Sequence, residues 1–135
     1  SNVFHDPANP TVINDFNAIF VCSAGTDYNI LWEETEVAFV LNDVDLWIYG
    51  TLSLADDVVL KFQDASELIF QYGASQLVNH DGAGVFFTSY LDDSLKGDSN
   101  GDGSLSSPSQ GDWSGIYDNG ADDYVDWPNV LYSLH

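Results

Sequence analysis

Between residues 44 and 90 the chain leaves no interval long enough for a helix. Segments 46–49, 52–54, 58–62, 68–72, 77–78 and 85–90 are short and rich in β-branched and aromatic residues, and each is bounded by Gly, Asp or Asn. Side chains of that kind suit a pleated, half-buried surface, and the punctuation between them favours turns, so the pattern predicts an all-β chain of short strands. An internal echo narrows the choice. Tyr49-Gly50-Thr51-Leu52-Ser53-Leu54 resembles Tyr72-Gly73-Ala74-Ser75-Gln76-Leu77 at a shift of 23 residues. A period in the low twenties is that of one coil of a parallel β-solenoid, in which inward apolar residues stack on those of the next coil.

The first part of the chain is less regular. Residues 1–10 form a polar lead marked by two prolines, where His5 and Asp6 are expected to face solvent. Residues 11–24 alternate into the apolar run Ala18 to Cys22 and read as a strand, followed by a turn at Gly25-Thr26-Asp27 and strand-like segments at 28–32 and 37–41. The chain is thus read as a single domain, with 1–43 as lead and capping strands and 44–135 as solenoid coils.

Residues 92–112, DDSLKGDSNGDGSLSSPSQGD, carry the chemistry. Asp98, Asn100 and Asp102 alternate with small residues and Gly103 stands sixth in a D-x-N-x-D-G pattern, the opening of an EF-hand type Ca²⁺ loop. A hard cation needs several oxygens at once, and alternate side chains of a curled loop point inward while glycine takes the sharp turn. Ser104 at the seventh position offers its carbonyl, and Leu105 is expected to pin the loop to the core. The twelfth position is Ser109 where an EF-hand has a bidentate Glu, so Asp92, Asp93 and Asp112 at the two mouths are the candidates to complete the shell. The competing reading is an acidic, glycine-rich loop that is merely solvated.

Charge excludes several partners. Lys61 and Lys96 face 22 acidic residues, with no arginine, for a net charge of −20. Nucleic acids and anionic membrane surfaces are bound largely through Lys and Arg, so both are excluded, and no run approaches the roughly 18 apolar residues of a membrane span. At 44% hydrophobic content the 135 residues suffice for one core. Cys22 is the only cysteine, which forbids an intrachain disulfide; it reads as a small buried hydrophobe, with an intermolecular disulfide as the minor alternative. With no methionine in the chain, Ser1 is expected to follow removal of a secretory signal, placing the protein outside the cell or at its surface, where calcium is abundant enough for a site lacking the twelfth-position Glu.

Several blocks carry a family resemblance. Gly50-Thr51-Leu52 through Val59-Leu60-Lys61-Phe62, then Phe86-Phe87-Thr88-Ser89-Tyr90 with Asp92-Asp93-Ser94, then Gly97 to Ser104, and Gly111-Asp112-Trp113-Ser114-Gly115-Ile116 together resemble bacterial secreted right-handed parallel β-helix repeat proteins. The similarity covers roughly 44–119 and is most specific from F-T-S to W-x-G-I. It implies a right-handed β-helix whose strand at 85–89 leaves the coil for a long loop and re-enters at Trp113. A structureless excursion of that length needs something to order it, and a bound cation gathering the loop's carboxylates does so. The first forty residues match poorly, and the chain stops at 129–135 where relatives continue with more coils.

A short solenoid has exposed ends. Val130, Leu131, Tyr132 and Leu134 have strand composition with no polar cap behind them, and so are candidates to pair with the edge of a second copy and build a homo-oligomer or open polymer. The alternative is that this strand packs on its own domain, capped by residues 1–24. Glycans are the other candidate partner: among Trp32, Trp47, Trp113 and Trp127, Trp113 reads as core and Trp127, in Asp126-Trp127-Pro128, as the exposed stacking platform. Catalysis is the weakest reading. A polysaccharide lyase or hydrolase wants a basic residue or two placed carboxyls, whereas Lys61 lies in a strand pattern and the pairs Asp56-Asp57, Asp92-Asp93 and Asp122-Asp123 read as solvated or metal-bound. His80 is read as a turn residue, and His5, His80 and His135 lack zinc spacing. The sequence therefore predicts a non-enzymatic, extracellular, calcium-stabilised structural or adhesive protein.

Overall fold

The computed structural model describes residues 4–13 and 15–135, the side chains at positions 5, 10, 12 and 13 excepted; the expectations for residues 1–3 and for the His5 side chain lie outside it. The chain is all-β. An antiparallel pair, β1 (His5–Asp6) and β2 (Asn9–Ile13), comes first. Then follow β3 (Ala18–Val21), β4 (Gly25–Thr26), β5 (Ile30–Trp32), β6 (Ala38–Leu41), β7 (Leu46–Ile48), β8 (Leu52–Leu54), β9 (Val59–Phe62), β10 (Glu67–Phe70), β11 (Leu77–Val78), β12 (Phe86–Ser89), β13 (Gly115–Asp118) and β14 (Asp123–Tyr124).

These strands sort into three sheets that the chain visits in rotation. Their orders are β3-β6-β9-β12, β4-β7-β10-β13-β14 and β5-β8-β11, and every pairing in them is parallel except the last one, β13 with β14. The circuit begins at β3, inside the 1–43 stretch read as lead and cap.

Alternation along each strand decides what faces inward. Leu41 and Phe62 follow one another in the first sheet, Leu46, Leu68 and Ile116 in the second, Leu52 and Leu77 in the third. All of these belong to one buried cluster. Each such side chain removed from water contributes about 1.5–3 kcal/mol.

The corners between sheets need unusual backbone. Asp43, Asp57, Ala65 and Asn79 all have φ near +60°, the left-handed region that lets a strand change direction within a residue or two. At another corner Gly50 is required by contact: a Cβ there would lie 2.3 Å from the carbonyl oxygen of Tyr28 in the preceding circuit.

The register corrects the internal echo. Phe70 stands opposite Ile48, but Leu77 stands opposite Leu52 and not Leu54. A 3₁₀ turn, Ala74–Gln76, is inserted at the corner and lengthens that circuit. Gln76 makes the insertion stable: its side-chain amide donates to the carbonyls of Ile48 at 3.1 Å and Gly50 at 2.6 Å, and its oxygen accepts from the Tyr72 amide at 2.7 Å.

After β12 the chain leaves the circuit and returns at Trp113. That indole is buried, stacks on Phe62 at 3.9 Å with an 8° interplanar angle, and donates from Nε1 to the Leu131 carbonyl at 2.8 Å. The tail lies against its own chain: Val130 bridges Phe87, Ser133 bridges Trp113, and the Leu131 and Leu134 amides donate to the carbonyls of Phe87 and Trp113, each at 2.8 Å. It therefore sits beyond β12, at the opposite end of that sheet's order from β3, and among the described residues no N-terminal strand pairs with it.

Candidate metal centre

The site grows from the outward face of β12, β9 and β6. Thr88, Lys61 and Val40 occupy one register row on the side of that sheet away from the core, yet all three are fully buried. What buries them is the excursion after β12, which folds back across the sheet. It reaches the start of the circuits, where the Asn17 amide donates to the Asp98 carbonyl at 3.4 Å and Gly101 comes against Asp15 and Phe16.

Asp92 anchors the near mouth of the loop. It is buried, accepts from the Thr88 hydroxyl at 2.7 Å through Oδ2, and accepts from the Ser94 amide at 3.0 Å and the Ser94 hydroxyl through Oδ1. Asp112 anchors the far mouth, its Oδ2 accepting from the Ser89 hydroxyl at 2.7 Å and the Ser109 amide at 2.9 Å. Both carboxylates are thus engaged in fixing the loop to β12.

Between the mouths the D-x-N-x-D-G segment curls around its own side chains. Asp98 accepts from the amides of Asn100 at 3.1 Å, Gly101 at 2.6 Å and Gly103 at 2.7 Å. Asp102 accepts from the amides of Ser104, Leu105 and Ser106, from the Ser106 hydroxyl, and from the Asn100 side-chain amide at 3.2 Å. Asn100 in turn accepts from the Asp102 amide at 3.0 Å. The Ser106 hydroxyl first, and then these backbone donors, hold the Asp102 carboxyl down to about 2.

The curl brings Asp98 and Asp102 up to Asp93, and one oxygen from each of the three lies within 4.8 Å of the others. Asp93 is the odd member: its Oδ1 is buried without a hydrogen-bond partner, and burial first, then the charge of Asp98, pushes its carboxyl above the usual range. Of the seven positions expected to hold the ion, the structure gathers these three acids, with Asn100 bonded to Asp102 beside them. It places Asp92 and Asp112 at the anchors, and Ser104 in a strained turn with φ of 123°.

Beneath the cluster lies a cation. The Lys61 ammonium donates to the Gly97 carbonyl at 2.7 Å, one residue before Asp98. Burial lowers its pKa to about 8, against the opposing pull of Asp92, Asp93 and Asp98. Sequence reasoning placed Lys61 in a strand but not beneath the loop. The signal available was a lone lysine inside an apolar strand in a chain with 22 acids, which says that a counter-charge is needed without saying which.

Three expectations are corrected. Leu105 does not pin the loop: it is 92% exposed, because the Asp102 carboxylate, holding the amides of Ser104 to Ser106, turns this stretch outward. Cys22 is exposed, because it follows β3, the end strand of its sheet, with no further circuit stacked over it among the described residues. Trp127 is not an open platform: it is partly buried against the core, His80 covers one face at 3.9 Å and 12°, and Phe87 lies 6.2 Å away.

Comparison with protein-family models, with curated proteins and with solved structures finds no match to this chain.

Proposed function

We propose that this chain is a short right-handed parallel β-solenoid, secreted and stabilised by calcium, that acts as a structural or adhesive protein and joins copies of itself into a surface fibre. The observation that carries the reading is the rotation of the chain through three parallel sheets, which among the described residues leaves several strands with an unpaired edge. Parallel crossovers of this kind are right-handed almost without exception. Among the described residues β3, β4, β5 and β11 each pair on one side only. An edge of that sort is a template for another chain, and a head-to-tail contact that does not close produces a filament. The tail residues Val130, Leu131, Tyr132 and Leu134 are bonded along one edge to their own chain, so joining uses the other edge, with Leu134, 62% exposed, available for contact.

Calcium fits the acids that the fold assembles. Asp93, Asp98 and Asp102 supply three carboxylates, Oδ1 of Asp93 is a buried acceptor with no hydrogen-bond donor, and Oδ2 of Asp98, which takes only the Gly103 amide hydrogen, keeps a second lone pair. The ion's contribution is electrostatic: it neutralises the cluster and so holds the excursion over the outer face of the β3-β6-β9-β12 sheet. The role is mechanical, not catalytic.

Light scattering and negative-stain microscopy of one sample, in millimolar calcium and then in excess chelator, test both parts. Filaments that shorten or dissolve on chelation are expected. A monomer in both conditions ends the fibre reading, and a melting temperature indifferent to chelation ends the calcium reading.

A further inference from the structure

Each of the three parallel sheets has an outer face, and the three are treated differently. The face of β3-β6-β9-β12 lies under the excursion. That of β5-β8-β11 carries the short row Leu31, Ser53 and Val78. The face of β4-β7-β10-β13-β14 carries a single register row that reads Gly25, Trp47, Ile69, Tyr117 and Tyr124.

The side chains of that row pack on one another. Ile69, though on an outer face, is only 4% exposed, because the partly buried Trp47 and Tyr117 stand on either side of it. Neighbouring parallel strands lie about 4.8 Å apart, so the two rings are roughly 10 Å apart across Ile69, close to the reach of a disaccharide. At one end the ring of Tyr49 joins Trp47, 6.3 Å away and within 21° of parallel. Gly25 leaves room for this pair: a Cβ there would come 3.3 Å from the Trp47 Cβ and 3.5 Å from the Tyr49 ring. At the other end Tyr117 and Tyr124 meet edge to face at 5.0 Å.

The rim is acidic. The Tyr124 hydroxyl donates to Glu67 and the Tyr117 hydroxyl to Asp122, while Asp45 accepts from the Glu67 amide at 3.2 Å. Neither lysine is at hand, since Lys61 is bonded beneath the loop and Lys96 pairs with Asp57 at 2.7 Å. A rim of acceptors with no cation repels anionic polymers and suits a ligand that brings its own hydroxyl donors, while flat rings suit the C–H faces of sugars.

We propose that this row is a binding face for an uncharged polysaccharide, which lies across the strands with sugar rings over Trp47 and Tyr117 and hydroxyls donated to Asp45, Glu67 and Asp122. The face depends neither on calcium nor on end-to-end joining.

Native gel electrophoresis of the full chain through gels containing hydroxyethylcellulose, a soluble mixed-linkage β-glucan, mannan or alginate reads the binding directly. Retardation is expected in at least one neutral gel, persisting in chelator and absent with alginate. W47A weakens it at least tenfold while W127F leaves it unchanged. Far-UV circular dichroism checks the fold of W47A, and Y49A, at a residue 42% exposed, decides the matter if W47A unfolds. No retardation in any neutral gel, or retardation that W47A and Y49A leave intact, overturns the proposal. So does a dimer that dissociates on W47A substitution, which assigns the face to a second copy.

Discussion

Lys61 shows how one residue sets conditions on the whole site. Its folded pKa, lowered by burial to about 8, lies below the 10.5 of a lysine in water. Between those two values the unfolded chain holds more protons than the folded one, so stability climbs as pH rises through that window. Tyr124 works in the opposite direction: burial first, then Glu67, raise it from 10.0 to about 12, so its contribution is present below pH 10 and is lost above it. In chelator the melting temperature is therefore expected to rise from pH 7.5 to 9.5, and K61M to flatten that rise; a flat profile in the unsubstituted protein refutes the assignment. The same ammonium repels a divalent ion in the cluster. K61M is expected to tighten calcium binding about tenfold, or ~1.4 kcal/mol, as read by titration calorimetry, and a weaker affinity refutes the placement of Lys61 beside the ion.

At the scale of the loop, the acids divide by what they hold. Asp98 accepts three backbone amides and faces the cluster, whereas Asp112 ties the far mouth to Ser89. D98N is expected to abolish the calcium-induced rise in melting temperature and, because an amide nitrogen cannot accept from Gly103, to destabilise the loop by about 1.5–3 kcal/mol even in chelator. D112N is expected to cost about 1 kcal/mol while leaving calcium affinity within twofold. If D112N abolishes binding as D98N does, the far mouth belongs to the ion's shell. Trp113 joins the loop, Phe62 of the first sheet and the tail at one point. W113A is expected to cost about 3–5 kcal/mol and to speed hydrogen exchange at the Leu131 and Leu134 amides before the rest of the chain.

For the molecule as a whole, a net charge of −20 opposes any contact between copies. Screening falls within about 10 Å at 0.1 M salt, so assembly is expected to strengthen from 20 to 300 mM sodium chloride even without calcium, as followed by light scattering. Assembly that weakens with salt places attraction between charged groups at the joint, which the edge-pairing reading does not allow. Neutral polysaccharide binding is expected to be indifferent to the same change.

Local pattern carried much of this protein. The strands β7 to β12 fall in the six segments marked by β-branched and aromatic residues, β10 starting one residue earlier at Glu67, because alternation and turn residues act over a few positions. Asp98, Asn100 and Asp102 bond to amides two to five residues ahead, which spacing alone dictates. Tertiary structure decided what meets across circuits. The 3₁₀ turn at Ala74–Gln76 shifted Leu77 to Leu52, since corner length, not strand pattern, sets the register. Asp93 rather than Asp92 or Asp112 joined the cluster, and Lys61 came beneath it, because the excursion folds back over the sheet instead of standing away from it. The row from Gly25 to Tyr124 draws on residues scattered along most of the chain, so no window of sequence contains it. A short window records which groups its own backbone can reach; contacts between circuits depend on how the core seats each strand on the last.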